Sequence, residues 1–319
     1  MAMRLFSAAI ARRRIVDAMN LRTRTRSLAI QAAALFRAQE MHFQTLDPQS
    51  QALVVAMHET PPSLAANFRT QLEWASQHFK IGSLEDLAGL WAPRTQAKPA
   101  CKPLLIFTFD DGRESNYTVA APLLESFGGR GVFFIVPAFA ETSGSPHSLH
   151  FYRTKINPDF NSRCDSGCES RHHESEDWKP MSPSQIADLA ARGHAIGNHT
   201  ATHRRLLNLS SADLEQEIVD SARQLASWTG KPVEAFAWTF GWDSIDRNAW
   251  EVARRYHRFC FSPCAGVVHA ARDQPSLLWR REIEARYSAP EYRFAYSGIV
   301  DLWWAGRRRS LRNLVKPSS

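Results

Sequence analysis

Two adjacent carboxylates, Asp110 and Asp111, and two histidines four residues apart, His199 and His203, could carry metal chemistry in this 319-residue chain. The carboxylates end an apolar run, LLIFTFDDG, at residues 104–112. A run of that length reads as a strand buried on both faces, as in a sheet covered by helices. Such a strand does not ordinarily end in two like charges, which repel and cannot be desolvated cheaply without a partner. Asp-Gly is also common turn chemistry, so a solvated turn is the competing reading. The histidines lie in GHAIGNHTATH, residues 193–203. A helical turn would put both imidazoles on one face. Two histidines and a carboxylate make a three-ligand set that leaves positions on a divalent ion open for water and substrate. A single histidine is more often a surface or core residue, and it is the combination that makes the metal reading specific.

Thr108-Phe109-Asp110-Asp111-Gly112 resembles the first motif of the polysaccharide deacetylase (NodB-homology) family, a carbohydrate esterase type. His199-Thr200-Ala201-Thr202-His203 resembles its second, His-Ser/Thr-x-x-His, in the same order and at similar spacing. The likeness spans about residues 52 to 305. It implies a deformed or incomplete (β/α) barrel of parallel strands with outer helices. It also implies a metal-dependent hydrolase that removes an acetyl group from an N-acetylated sugar of a polysaccharide, oligosaccharide or lipid-linked glycan. In that mechanism Asp111, His199 and His203 hold the ion, zinc on ligand type, with cobalt, nickel or iron also fitting. Asp110 then takes the proton of the attacking water.

The third motif departs from the family. FAWTFG, residues 236–241, carries Thr239 where one branch carries proline, and the usual arginine that orients the catalytic carboxylate is missing there. The resemblance offers Arg281 in its place, with Arg280 also eligible and two surface arginines as the alternative. His58 follows the apolar run ALVVA, residues 52–56, where the family often carries a histidine. In a parallel barrel the residues just past strand C-termini face the site. His58 and His269 are therefore the candidate proton donors to the leaving amine, since the family's last motif, Leu-x-His, has no clean match. Phe240, Trp238 and Trp242 are the candidate substrate contacts, with core packing the alternative for the tryptophans. The altered third motif keeps a second function open, a metal-retaining but inactive domain that binds glycan or a partner protein. Intact Asp110 argues against it. Hydrolysis of a non-sugar amide or an O-acetyl ester would share the same site.

The elements around these residues alternate. Ser83 ahead of Glu85-Asp86, and Ser182-Pro183 ahead of Gln185, are helix starts. Apolar strands at residues 131–136, 194–197, 233–240 and 259–262 are separated by helical patterns at residues 116–127, 214–228 and 245–256, a rhythm that argues for a parallel sheet. Residues 137–180 interrupt it with a long polar insertion, expected to be a lid, a binding loop or disordered. Cys164, Cys168, His172 and His173 within it could bind a second zinc, with an exposed polar loop as the default. Five cysteines, an odd number, favour reduced thiols and a cytoplasmic setting. No apolar stretch is long enough to span a bilayer. The net charge of +7 is unevenly placed. Residues 1–40 hold eight arginines against Asp17 and Glu40, residues 306–319 hold five basic groups and no acid, and the rest is acidic. The chain therefore divides into a basic arm (1–46), a catalytic domain (47–305) and a basic tail (306–319). The acidic balance of the main domain argues against a nucleic-acid face there. Arms of this kind could touch an anionic membrane, which would make the protein peripheral to the inner membrane; solvated tails are the alternative.

Overall fold

The computed structural model describes residues 45–92, 102–158, 177–241 and 244–316. Most of the basic arm, Trp242, and the insertion's Cys164, Cys168, His172 and His173 lie outside them.

The chain folds as a nearly closed α/β barrel. Its strands are β1 (Gln51–Met57), β2 (Lys80–Ile81), β3 (Leu104–Phe109), β4 (Val132–Ile135), β5 (Ala195–Asn198), β6 (Ala235–Ala237), β7 (Phe259–Ser262), β8 (Val267–His269), β9 (Leu278–Trp279) and β10 (Arg281–Glu282). They are hydrogen-bonded in the order β10-β1-β3-β4-β5-β6-β7-β9, every pair on this path being parallel. The two ends of the path are consecutive in sequence. Leu278–Trp279 pairs with β7 and Arg281–Glu282 pairs with β1, so one extended segment closes the sheet on itself and Arg280 sits at the seam.

Both faces of the strands are buried, which explains the continuous apolar runs. Leu104 and Ile106 of β3 point inward with Ala52, Val54, Phe134 and Phe261. Leu105, Phe107 and Phe109 point outward against the helix Ala65–His78, where Phe68 meets Phe107 and Phe109 edge-on at 6.0 and 6.3 Å. Each such buried aromatic stabilises the layer by roughly 1.5–3 kcal/mol. The helix starts read from sequence are present as capping boxes, Ser83 with Asp86 and Ser182 with Gln185.

Two regions differ from expectation. The first half of the insertion is not a loose polar loop. It forms short helical turns, Pro137–Ala140, Ser148–Phe151 and Tyr152–Ile156, that bury Phe139, Tyr152 and Ile156 against Val136. The basic tail is not an extended arm either. Residues 306–314 belong to a helix, Ile299–Leu314, held by burial of Leu311 at its end and by an Arg281–Asp301 ion pair of 2.6 Å near its start.

Candidate active site

Asp110 and Asp111 leave β3 in opposite directions because the chain turns sharply there. Asp111 has φ 73° and Gly112 has φ 78°. Aspartate tolerates this left-handed region better than most residues, and glycine does so freely. A Cβ on Gly112 would also meet Ile135 Cδ1 at 3.1 Å. Asp110 keeps the inward direction of Thr108, while Asp111 turns toward the loop after β5.

That loop carries His199 and His203, but not on a helical turn. Thr200 (φ 65°) and His203 (φ 58°) are left-handed, and the backbone is held from outside. Asn198 Oδ1 accepts from Thr200 N–H at 3.0 Å, and Glu217 accepts from Thr202 N–H (3.0 Å) and Thr202 Oγ1 (2.6 Å). The Glu217 carbonyl also accepts from Ala201 N–H at 2.9 Å. Glu217 sits in a π-helical turn, Glu215–Asp220, a distortion that often marks functional positions. The two imidazole rings end up 5.3 Å apart, as a helix would have placed them, by a different route.

The donor set fits a metal ion. His199 Nδ1–H donates to the Ala237 carbonyl (2.9 Å), and His203 Nδ1–H donates to the Lys155 carbonyl (2.7 Å). Carbonyls only accept, so in the neutral rings both Nε2 atoms carry lone pairs. These face Asp111 Oδ1 at 3.8 and 3.5 Å. The other carboxylate oxygen, Oδ2, is taken by Arg113 Nη2 (3.0 Å) and Nε (3.3 Å). Burial pushes His199 down to about 4, which keeps it neutral. Burial alone would raise Asp111, but Arg113 and then the histidines hold it below the usual carboxylate range. Asp111, His199 and His203 together could hold a metal ion.

Asp110 lies outside this set. Arg280 grips it from the barrel seam, Nη1 to Oδ1 at 2.6 Å and Nη2 to Oδ2 at 2.9 Å, with its guanidinium 5.2 Å over the Phe134 ring. Burial alone would raise the Asp110 pKa; Arg280 foremost, then His199 and His58, depress it instead. The expected partner, Arg281, points the other way. It is paired with Asp301 and donates to the Tyr296 carbonyl at 2.7 Å, far from the carboxylate cavity. Strand alternation is the reason. Ile283 packs in the outer layer, so Arg281 must also face outward and Arg280 inward.

His58 follows β1 at the same mouth. Its Nδ1–H donates to Glu284 Oε1 at 2.6 Å, its backbone N–H donates to Glu284 Oε2 at 3.2 Å, and its Nε2 lies 3.9 Å from Asp110 Oδ2. Burial alone would lower the His58 pKa. The Glu284 carboxylate outweighs this, with smaller help from Asp111 and Asp110, and pushes it up to about 10. His269 is at the other end of β1, where Gln51 bonds its Nδ1 at 2.9 Å, so it is no part of the site. Phe240 stands on the rim, 38% exposed, with its ring 4.8 Å from that of His203. Trp238 lines the cavity but is only 1% exposed and packs edge-on against Phe236, so it serves chiefly as core. The described cavity holds about 330 Å³, within the range of small-molecule clefts. Ile156 and Asn157 of the insertion form one wall and Glu59, Glu282 and Arg286 line its edge.

Several of these residues escape a sequence reading. Glu284 was readable in principle, because alternation from Ile283 puts Arg280, Glu282 and Glu284 on the inner face. Glu217, Arg113 and Lys155 act through contacts with no local signal.

Carboxylates and histidines are gathered at the C-terminal ends of the strands of a parallel barrel, where barrel enzymes carry their sites. The sequence profile of the polysaccharide deacetylase family matches residues 97–258, and the chain belongs to that family. No curated protein sequence matches it. Among solved structures it is similar to the deacetylase PplD of Streptococcus pyogenes in complex with acetate, at 17% identity over 84% of this chain and 99% of that one, with a TM-score of 0.55. It is also similar to IcaB from Ammonifex degensii, at 17% identity over 79% and 97%, TM-score 0.56. A de-N-acetylase from Aggregatibacter actinomycetemcomitans matches at 14% identity over 77% and 99%, TM-score 0.57. At these identities the likeness is one of fold.

Proposed function

We propose that this chain is a metal-dependent de-N-acetylase acting on an N-acetylated sugar of a polysaccharide, oligosaccharide or lipid-linked glycan. The observation that carries the reading is the pair of groups side by side in the cavity, 3.9 Å apart. Asp110 is kept ionised by Arg280 and left out of the metal set, and His58 is kept protonated by Glu284. An ion at Asp111, His199 and His203, zinc on ligand type, would acidify a bound water and polarise the acetyl carbonyl.

The chain's own groups supply the proton transfers. Asp110 accepts a proton from the attacking water as its oxygen bonds the acetyl carbon. His58 Nε2–H donates a proton to the amide nitrogen as the C–N bond breaks, so the products are acetate and the free amino sugar. Glu284 holds Nδ1 and so presents the Nε2 proton to the cavity. Phe240 is the exposed aromatic that can cover a sugar ring at the rim, and a backbone N–H near it would donate to the acetyl carbonyl oxygen. A binding-only domain has no use for either the free carboxylate or the protonated imidazole.

The direct test is acetate release from N-acetylated oligosaccharides and lipid-linked sugars. Release is expected to vanish on chelation and to return with added zinc. Metal retention without release from any acetylated sugar would overturn the reading in favour of a binding domain.

The pH profile tests the acid. The alkaline limb of kcat/KM reports loss of the His58 proton. Glu284→Gln removes the main charge that raises the His58 pKa, so the limb moves down, from the region below 10 toward the ordinary 6.5. In the metal-loaded enzyme both limbs start lower, because a nearby dication disfavours the imidazolium, and the diagnostic quantity is the downward displacement. An unmoved alkaline limb in Glu284→Gln would remove His58 from the acid role.

A further inference from the structure

The helix Ile299–Leu314 presents a surface that the hydrolytic site does not use. Leu302 is 74% exposed and Trp303 is 60% exposed, adjacent in sequence near the start of this helix. Leu302 and Arg309 are seven residues apart and so share one face of the helix, Lys316 lies just past its end, and all three are exposed. Arg307 follows Trp303 by one turn and stacks over Trp304 at 4.6 Å. The opposite face is anchored: Leu311 and Val315 are buried, Asp301 pairs with Arg281, and Arg312 pairs with Asp273 at 2.9 Å. Residues 299–316 carry five basic groups against Asp301 alone. The exposed face thus combines a leucine and a tryptophan at one end with cations along the rest, on a helix fixed to the barrel.

We infer that this face docks the protein on an anionic lipid bilayer. A tryptophan and a leucine fit the boundary between headgroups and acyl chains, and the cations match the negative surface charge of the leaflet. Charge alone would also suit an acidic polymer, but an acidic polymer gives no place to Leu302 and Trp303, and this favours the bilayer. Among the described residues no helix is long and apolar enough to cross a membrane, so the contact is interfacial. The proposal is independent of the deacetylase reading, since it concerns a different surface and a different measurement.

The test is co-sedimentation of the full chain with vesicles of phosphatidylcholine alone and with one-third phosphatidylglycerol, at low and high salt. The chain is expected to pellet with the anionic vesicles at low salt and not with the neutral ones. Arg309→Ala with Lys316→Ala should weaken partitioning roughly twenty- to thirtyfold, at about fivefold per cation. Leu302→Ser with Trp303→Ser should weaken it comparably and abolish the part that survives high salt. All four side chains are exposed, and an unchanged thermal melt in either double variant confirms the fold. Undiminished vesicle binding in both would overturn the proposal and assign binding to another part of the chain, residues 1–44 included. Equal binding to a soluble acidic polysaccharide, insensitive to Leu302 and Trp303, would overturn it in favour of a polymer surface. A dimer that Leu302→Ser with Trp303→Ser dissociates, with no vesicle binding, would overturn it in favour of a second copy.

Discussion

Asp110→Asn is expected to lower kcat for acetate release by about 10²–10⁴-fold, the ordinary weight of a positioned general base, while bound metal stays at the parent level. The argument rests on separation of roles between neighbours. Asp111 Oδ1 faces His199 and His203, and its Oδ2 is held by Arg113. Asp110 touches none of these ligand atoms in the hydrogen-bond pattern; its oxygens face Arg280 and, at 3.9 Å, His58. Asparagine keeps the shape and one acceptor for Arg280 but cannot take a proton from water. The comparison is Asp111→Asn, which leaves Asp110 in place and should release the metal. Metal analysis and acetate release on the same preparations decide the matter. Metal loss in Asp110→Asn, or parent-like turnover, would mean that the two carboxylates have been assigned the wrong way round.

Much of this site could be read from the sequence because its chemistry is concentrated in short stretches. The run ending in Asp110-Asp111-Gly112 shows a buried strand with charges at its mouth, and the paired histidines are the candidates for the remaining ligands. Local signals of this kind survive folding unchanged, as the capping boxes at Ser83 and Ser182 also do. What the sequence does not show depends on direction or on distance. Arg280 and Arg281 are indistinguishable by type, and only the parity of the strand, settled by Ile283 packing outward, assigns one to Asp110 and the other to Asp301. The spacing of four between His199 and His203 fits a helical turn; the structure reaches the same juxtaposition with two left-handed residues held by Asn198 and Glu217. The polar insertion hid its role because Lys155 contributes a backbone carbonyl to His203, and a carbonyl has no residue type. The basic tail looked like an arm because its cations outnumber its apolar residues. Buried Leu311, together with the Arg281–Asp301 pair, makes it part of the fold.

The closing strand carries the second large effect, and it separates chemistry from stability in adjacent residues. Arg280→Met removes the cation that depresses the Asp110 pKa and leaves a buried carboxylate without its bidentate partner. The carboxylate then becomes easier to protonate, so the acidic limb of kcat/KM moves to higher pH. The base is also no longer fixed in orientation, and kcat at neutral pH falls by about 10²-fold or more. Arg281→Met breaks a different contact, the buried pair with Asp301 that fastens the C-terminal helix. Truncating one partner of a buried ion pair costs about 3–5 kcal/mol, so this variant should lose thermal stability heavily. Its folded fraction should still turn over with the parent kcat and an unshifted acidic limb, since nothing facing Asp110 has changed. Turnover per active site, titrated by bound metal, and the melting curve are measured on both variants. If Arg281→Met shifts the acidic limb and Arg280→Met does not, the inward and outward faces of the closing strand have been exchanged, and the orientation of the catalytic carboxylate must come from another group.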